Sequence, residues 1–222
     1  MRIPLNARRL PNYTRGQEIA NMVTHIVGGG LGVIILLAAV LLSSFRHNVW
    51  GVVSGSIYGA SLICLYTVSS VYHGLKAVAA KKVMQVIDHC TIYFLIVGTY
   101  TPIVLCAIRP IAPVAAWIVF GVEWGLTALA VVFTAIDHHR YRVLSMACYI
   151  GLGWCVIFIL QDTVKALGTA GFFWLLAGGI AYTIGAILYG VGAKKPIFHT
   201  VFHGFVLLGS ILQAVSILFY VL

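Results

Sequence analysis

Residues 26–42 read IVGGGLGVIILLAAVLL, a stretch without a charged side chain that closes a longer apolar run at residues 19–42. About 20 apolar residues in a helix are enough to cross the hydrocarbon core of a bilayer, so this run is long enough for one crossing. It is too long for the apolar core of a signal peptide and lacks a convincing cleavage site. The run therefore predicts a membrane span that is retained in the protein.

Six further apolar runs of about 20 to 25 residues follow, separated by polar residues. They occupy approximately residues 49–72, 83–106, 111–135, 142–161, 170–192 and 197–221. β-Barrel strands would be about ten residues long with alternating polarity, whereas these runs are continuously apolar. Hydrophobic residues make up 61% of the chain and charged residues 9%, too few to cover a water-facing surface. The sequence predicts one integral membrane domain over residues 1–222, an all-α bundle of seven transmembrane helices.

The net charge of +9 indicates membrane topology rather than a nucleic-acid partner, because Lys and Arg stand in short clusters between the apolar runs. Eleven of these cations fall on one side of the predicted bundle: Arg2, Arg8, Arg9, Arg15, Lys76, Lys81, Lys82, Arg140, Arg142, Lys194 and Lys195. Arg46, Arg109 and Lys165 fall on the other. Positive residues beside short spans stay in the cytoplasm, so the N-terminus is predicted to be cytoplasmic and the C-terminus extracytoplasmic.

Three motifs place His and Asp side chains at the cytoplasmic ends of predicted helices. SSVYH at residues 69–73 ends the second helix, VIDHC at residues 86–90 opens the third, and FHTVFH at residues 198–203 opens the seventh. Residues i and i+4 share a face of a helix, so His199 and His203 can converge on one ion. The topology therefore predicts a polar cluster where these helix ends meet.

The predicted cluster contains the residue types of a catalytic zinc site. His73, His199 and His203 match the three protein ligands of such a site, whose fourth position is kept for water or substrate. Asp88 could bind or deprotonate that water, and Ser69 could act as a hydrogen-bond donor beyond the ligands. Two alternatives stay open: imidazoles hydrated at helix ends without a metal, and Ser69 as a small residue for close helix packing.

The first helix opens with a polar stripe of its own. In EIANMVTH, residues 18–25, the side chains of Glu18, Asn21 and His25 recur at i, i+3 and i+7 and so share one face. The stripe either supports the metal site, contacts lipid headgroups, or locks the first helix to its neighbours. His89, next to Asp88, is assigned to the same class of supporting or structural polar residues.

Glu123 lies near the middle of the fourth apolar run, at a different depth from the predicted cluster. Placing a charge at the centre of a membrane helix costs about 2.5–3.5 kcal/mol of insertion free energy, so a carboxyl at this depth requires a structural or functional explanation. The sequence leaves two interpretations, a proton-relay or transport residue and a protonated carboxyl that is hydrogen-bonded within the bundle.

In the polar motifs of the first, second, third and seventh helices, the sequence resembles the hemolysin III family, the bacterial branch of the progestin and adiponectin receptor superfamily. The resemblance covers nearly the whole chain, from EIANMVTH through SSVYH and DHCTIYFLIVGTYTP to FHTVFHGFVLLGS, with the motifs in the expected order. It implies a seven-helix bundle with an inward N-terminus and a zinc ion held by His73, His199 and His203. It also implies that Asp88 reaches the metal through water.

Two classes of function are predicted for a multi-pass protein of the bacterial inner membrane whose partners are membrane lipids. The leading hypothesis is a zinc-dependent hydrolase of a lipid amide or ester, with catalytic roles for Asp88 and Ser69. It is supported by the resemblance, because the eukaryotic receptors of the superfamily look like ceramide hydrolases. The alternative is a non-enzymatic regulator or sensor of lipid composition with a structural zinc. A lytic pore ranks below both, because no continuous polar stripe lines a channel.

Overall fold

A computed structural model describes residues 10–192 and 195–222, without the side chains of residues 191 and 192. The predicted cytoplasmic cations Arg2, Arg8, Arg9 and Lys194 lie outside these residues. In the described ranges the chain forms helices and no strands, which is expected where lipid cannot satisfy backbone hydrogen bonds. The helices are α1 (Arg15–Phe45), α2 (Val49–Gly74), α3 (Val78–Pro102), α4 (Pro113–Asp137), α5 (Arg142–Gly153), α6 (Leu160–Gly192) and α7 (Ile197–Ser216). Short π-helical turns extend α3 (Ile103–Ile108) and α7 (Ile217–Val221), and a 3-10 turn (Cys155–Ile159) joins α5 to α6.

Six helical stretches of the described chain are long and apolar enough to cross a membrane. The predicted runs at 142–161 and 170–192 fall together in one stretch, Arg142–Gly190, so the predicted count of seven is not confirmed. Gly168 interrupts this stretch with a φ of 67°, in the left-handed region that favours glycine. The predicted orientation of the termini is likewise not confirmed.

Two of the helices, α1 and α3, begin earlier than the apolar runs that predict them. The first run starts at residue 19, but α1 starts at Arg15 because Thr14 and Gln17 form a reciprocal capping box. Similarly, α3 begins at Val78 rather than at residue 83. Polar first turns are helical without being apolar, so the run boundaries miss them. As a result Glu18 belongs to the first turn of α1, where an acidic side chain complements the helix dipole.

Small residues let α1 and α2 pack closely. A methyl group at Gly28 would overlap the ring of Tyr66, and one at Gly59 would lie 2.5 Å from Leu36. Close packing through small residues is the usual means by which helices associate where the surrounding solvent is itself apolar. The contact with Gly28 holds the Tyr66 ring inside the bundle, next to the polar cluster described below.

The distribution of polarity is that of a protein surrounded by lipid. Large aliphatic side chains such as Ile34, Leu37 and Leu41 are exposed on the outside of α1. The interior instead holds tyrosines and histidines, including Tyr72 and His203, both fully or almost fully buried. Polar side chains therefore face other helices, where they find hydrogen-bond partners and each other.

Candidate metal centre

Three imidazoles converge at one end of the bundle. His73 comes from the last turn of α2, and His199 and His203 come from the first two turns of α7, where their i, i+4 spacing puts them on one face. All three side chains are buried. The Nε2 atom of His199 lies 3.4 Å from that of His73 and 3.0 Å from that of His203. The convergence predicted from the sequence is confirmed, and the group could hold a metal ion.

The spacing of these nitrogens is close to that of imidazole ligands on zinc. Zinc–imidazole bonds of about 2.0–2.1 Å in a tetrahedral arrangement separate neighbouring ligand nitrogens by about 3.3–3.4 Å. The candidate ligand atoms all lie within 4.8 Å of one another. Within the described ranges, no other group of three or more His, Cys, Asp or Glu residues has this property. The donor set suits several transition metals, so the distances by themselves leave the identity of the metal open.

A carboxylate fixes the orientation of one of the imidazoles. Glu18 Oε2 lies 2.6 Å from His73 Nδ1, and Glu18 Oε1 accepts a hydrogen bond of 2.6 Å from Lys81 Nζ. With its Nδ1–H directed at a carboxylate, His73 presents the lone pair of Nε2 to the cluster. Asn21 Nδ2 is a more distant neighbour of the same Nδ1, at 3.5 Å. Glu18 and Asn21, assigned from the sequence to a supporting or structural class, thus contact one of the three imidazoles.

His25 adds a fourth imidazole beside the cluster. Its ring stacks on His203 with a centroid distance of 3.9 Å and meets the edge of Tyr66 at 5.0 Å. Both ring nitrogens of His25 are buried without a hydrogen-bond partner among the described residues. His25 therefore packs against His203, and its own nitrogens are not part of the candidate ligand group.

Asp88 and Ser69 face a cavity that adjoins the cluster. Ser69 is buried and Asp88 is half-buried, and the two side chains are neighbours. Both line the cavity together with His199 and His203. The structure thus places the predicted acid and hydroxyl next to the imidazoles, while the metal-ligand group itself contains no carboxylate.

His89 is held by hydrogen bonds on both ring nitrogens. Its Nδ1–H donates to the carbonyl of Gln85 at 2.7 Å, so its Nε2 accepts from the hydroxyl of Tyr189 at 2.8 Å. A ring whose two nitrogens are both satisfied by protein partners is not free to bind a metal. His89 therefore ties α3 to α6 across the cavity, as expected for a supporting residue.

Tyr13 and Lys81 are parts of this site that the sequence analysis missed. Tyr13 precedes α1 and stacks on His199, with ring centroids 4.9 Å apart and an interplanar angle of 21°. Burial, followed by the nearby Tyr189, Glu18 and Asp88, raises the pKa of Tyr13, so its hydroxyl stays protonated. No motif marks Tyr13, and in the sequence Lys81 stands out only as one of the cations that indicate topology.

The cavity has a volume of about 130 Å³ and runs from the imidazoles into the bundle. Along α3 its lining extends from Asp88 to Tyr100, and the twelve residue-to-residue steps between them rise about 18 Å along an α-helix. Away from the cluster the walls are mainly apolar, with side chains such as Leu95, Ile150 and Val206. The polar end and the apolar body match a ligand that has a polar group and a hydrocarbon chain.

Comparison with known proteins gives consistent results over almost the full length. The sequence profile described as "Haemolysin-III related" matches residues 13–214. Hemolysin-3 of Bacillus cereus is 35% identical over 206 residues, covering 93% of this chain and 92% of that protein. A hemolysin-3 homolog of Bacillus subtilis (strain 168) is 34% identical over 208 residues, covering 94% and 96%. Human monocyte to macrophage differentiation factor is 26% identical over 213 residues, covering 92% of this chain and 84% of its own.

Proposed function

The chain belongs to the haemolysin-III-related family, and on this basis we propose that it is a zinc-dependent membrane hydrolase of a lipid amide or ester. His73, His199 and His203 would hold the zinc. One observation carries the proposal: the imidazole cluster lies at the polar end of a cavity whose body is apolar. A ligand that fills this cavity with a hydrocarbon chain brings its polar group to the cluster.

The dimensions of the cavity support a lipid substrate. Its lining along α3 extends about 18 Å, and the depth of one acyl layer is half of the hydrocarbon core, or about 15 Å. The cavity lies between helices of a multi-pass membrane protein, so its ligand comes from the bilayer. Membrane lipids are accordingly the partners that we propose, and the bacterial inner membrane is the proposed location.

The chain's own residues supply proton transfer and orientation. Zinc, when bound, acts as a Lewis acid toward a carbonyl oxygen. Asp88 faces the cavity beside the cluster, so its carboxylate can accept a proton from the water that attacks the carbonyl carbon and return it to the departing amine or alcohol. Ser69, the neighbour of Asp88, can donate a hydrogen bond to that carboxylate or to negative charge on the substrate.

Release of free fatty acid from lipid amides and esters tests the proposal. We expect release by the purified wild-type protein and none above background by His203→Ala. Asp88→Asn should keep the ligand group intact and lower the rate by about 10²–10⁴, the usual contribution of a general base. His47→Asn, in an exposed loop, is a matched control that should keep full activity. Equal release by wild type and His203→Ala would rule out the hydrolase.

A second candidate function, a regulator or sensor of lipid composition with a structural zinc, is supported by the way the site links helices. The three imidazoles join α2 to α7, and Glu18 extends the connection to α1 and, through Lys81, to α3. A metal in this position would join α2 directly to α7 and so contribute to folding free energy, and the Glu18 contacts would extend that connection to α1 and α3. The proposed hydrolase and this alternative differ in whether metal removal changes activity or only stability.

We further propose that the bundle has seven spans with a cytoplasmic N-terminus. Arg142–Gly190 comprises 49 residues, which as a single helix would be about 74 Å long against a hydrocarbon core of about 30 Å. The left-handed φ at Gly168 supports a reversal there, between one span that contains α5 and a second within the rest of α6. Seven spans then put Arg15, Lys81 and Arg142 on the cytoplasmic side, as the positive-inside rule requires.

Thiol labelling in intact cells tests this topology. The variant Lys165→Cys, changed three residues before Gly168, is expected to react with a membrane-impermeant maleimide added outside the cells. The variant Lys76→Cys, changed between α2 and α3, should react only after the cells are opened. The unsubstituted protein, with its five native thiols, provides the background. The reverse labelling pattern would contradict the orientation, and protection of both sites in intact cells would contradict the count.

A further inference from the structure

A carboxyl that has no hydrogen-bond partner in the described part of the chain is buried at mid-length in α4. Glu123 is 1% exposed and lies ten residues from the start of α4 and fourteen from its end, or about 15 Å and 21 Å. Neither of its carboxyl oxygens has a hydrogen-bond partner among the described residues. The hydroxyl of Thr127, one turn along on the same face, is equally buried and unpartnered. Two buried polar groups one helical turn apart, both without a hydrogen-bond partner among the described residues, call for an explanation, and uptake of a ligand is one.

Glu123 faces an interruption in a helix. α5 ends at Gly153 and the chain continues as a 3-10 turn from Cys155. Tyr100 of α3 bridges the interruption, since its hydroxyl donates to the Gly153 carbonyl at 3.0 Å and accepts from the Val156 N–H at 2.8 Å. The Cys155 thiol lies beside the Glu123 carboxyl but outside hydrogen-bonding geometry. The titratable groups that face Glu123 are therefore Tyr100 and Cys155.

This arrangement favours a proton over a metal cation. Interrupted helices in membrane proteins commonly accompany proton or cation sites, because their free carbonyl ends carry partial negative charge. Magnesium takes six ligands and calcium six to eight, mostly oxygens, whereas Glu123 and Thr127 together offer three oxygens. The Tyr100 oxygen already makes two hydrogen bonds, and a thiol is a poor ligand for hard cations. A proton requires one carboxyl oxygen and removes the charge that lipid disfavours.

We propose that Glu123 is a mid-membrane proton-binding site, separated from the inner end of the cavity by Tyr100. Tyr100, Gly153 and Trp154 line the cavity at that end, and the first two also form the interruption that Glu123 faces. Water that enters from the imidazole end thus has a route to the neighbourhood of the carboxyl. This inference does not depend on hydrolase activity, because it concerns the far end of the cavity and a residue outside the candidate metal centre.

Labelling with dicyclohexylcarbodiimide tests the proposal, because this apolar reagent modifies protonated carboxyls in apolar surroundings. The expected result at neutral pH is a modified peptide containing Glu123, identified by mass spectrometry, and loss of that label in Glu123→Gln. Raising the pH should reduce labelling, by about tenfold per unit beyond the titration midpoint, and lowering it again should restore labelling. Glu18, the other glutamate, is an internal control: paired with Lys81 and His73, it should stay unlabelled.

Three results would overturn the proposal. Absence of label at Glu123 in native protein that becomes labelled after denaturation would show that the carboxyl is ionised or out of reach. Labelling unaffected by pH into the alkaline range would show a fixed structural acid that exchanges no proton. Protection by sodium ions at constant pH would assign the site to a metal cation. All three are read from the wild-type protein, so they do not depend on whether Glu123→Gln folds.

Discussion

Replacing both His199 and His203 by alanine is expected to reduce bound zinc from about one ion per chain to near zero. The double substitution leaves only His73 of the three converging imidazoles, and one ligand cannot retain a metal through purification. Elemental analysis of protein purified in detergent measures the change. His47→Asn is the matched control because His47 is exposed, and asparagine tolerates its left-handed backbone, φ 52°. Equal zinc in the double variant and wild type would disprove the assigned ligands.

Removal of the metal from the wild-type protein distinguishes the two candidate functions. If zinc is structural, stripping it with a chelator should lower the melting temperature, since the ion would no longer join α2 to α7. If zinc is catalytic, fatty-acid release should stop and return when zinc is added back. A melting temperature unchanged by stripping would exclude the structural version, and loss of stability without any hydrolysis by the zinc-loaded protein would exclude the catalytic one.

Glu18→Gln is expected to weaken zinc binding by about 10- to 100-fold, the usual cost of losing the carboxylate behind a metal-binding histidine. Glutamine keeps the size of the side chain but removes the charge that lies 2.6 Å from His73 Nδ1. The amide oxygen of glutamine can still accept from Nδ1–H, but without the charge it holds the ring less firmly in the form that presents a free Nε2 lone pair. Competition with a chelator of known affinity measures the change in the dissociation constant.

Asp162→Asn is the control for this experiment. It also removes one negative charge, but from the first turn of α6, and Asp162 is not among the residues that line the cavity or form the ligand group. Its zinc affinity should match the wild type. An unchanged affinity in Glu18→Gln would mean that the Glu18–His73 contact holds α1 to α2 without affecting the metal.

The sequence was sufficient to predict the family, the membrane character and the group of three imidazoles. It succeeded because polar residues inside apolar helices are costly, so those present stand out, and because i, i+4 spacing fixes a shared face. These predictions are confirmed by the structure and by the relatives in Bacillus.

The helix boundaries and several partners could not be predicted, for physical reasons. Apolar runs report hydropathy and not backbone conformation, so the 3-10 turn after Gly153, which contains no proline, left no mark in the sequence. Gly168 is one of 23 glycines, and only its left-handed φ distinguishes it. Tyr13 contacts His199 across 186 positions of sequence, a kind of contact that no local pattern encodes. The separate roles of Asp88 and Ser69 remain predictions.

The imidazole cluster and the carboxylate that contacts it come from helices that are far apart in the sequence. Glu18 lies in the first turn of the first helix, whereas His199 and His203 belong to the last one. During translation His73 and Glu18 enter the membrane long before their partners have been synthesised. All three imidazoles can therefore come together only after the final helix has joined the bundle, and a metal ion that needs all three of them would bind only then.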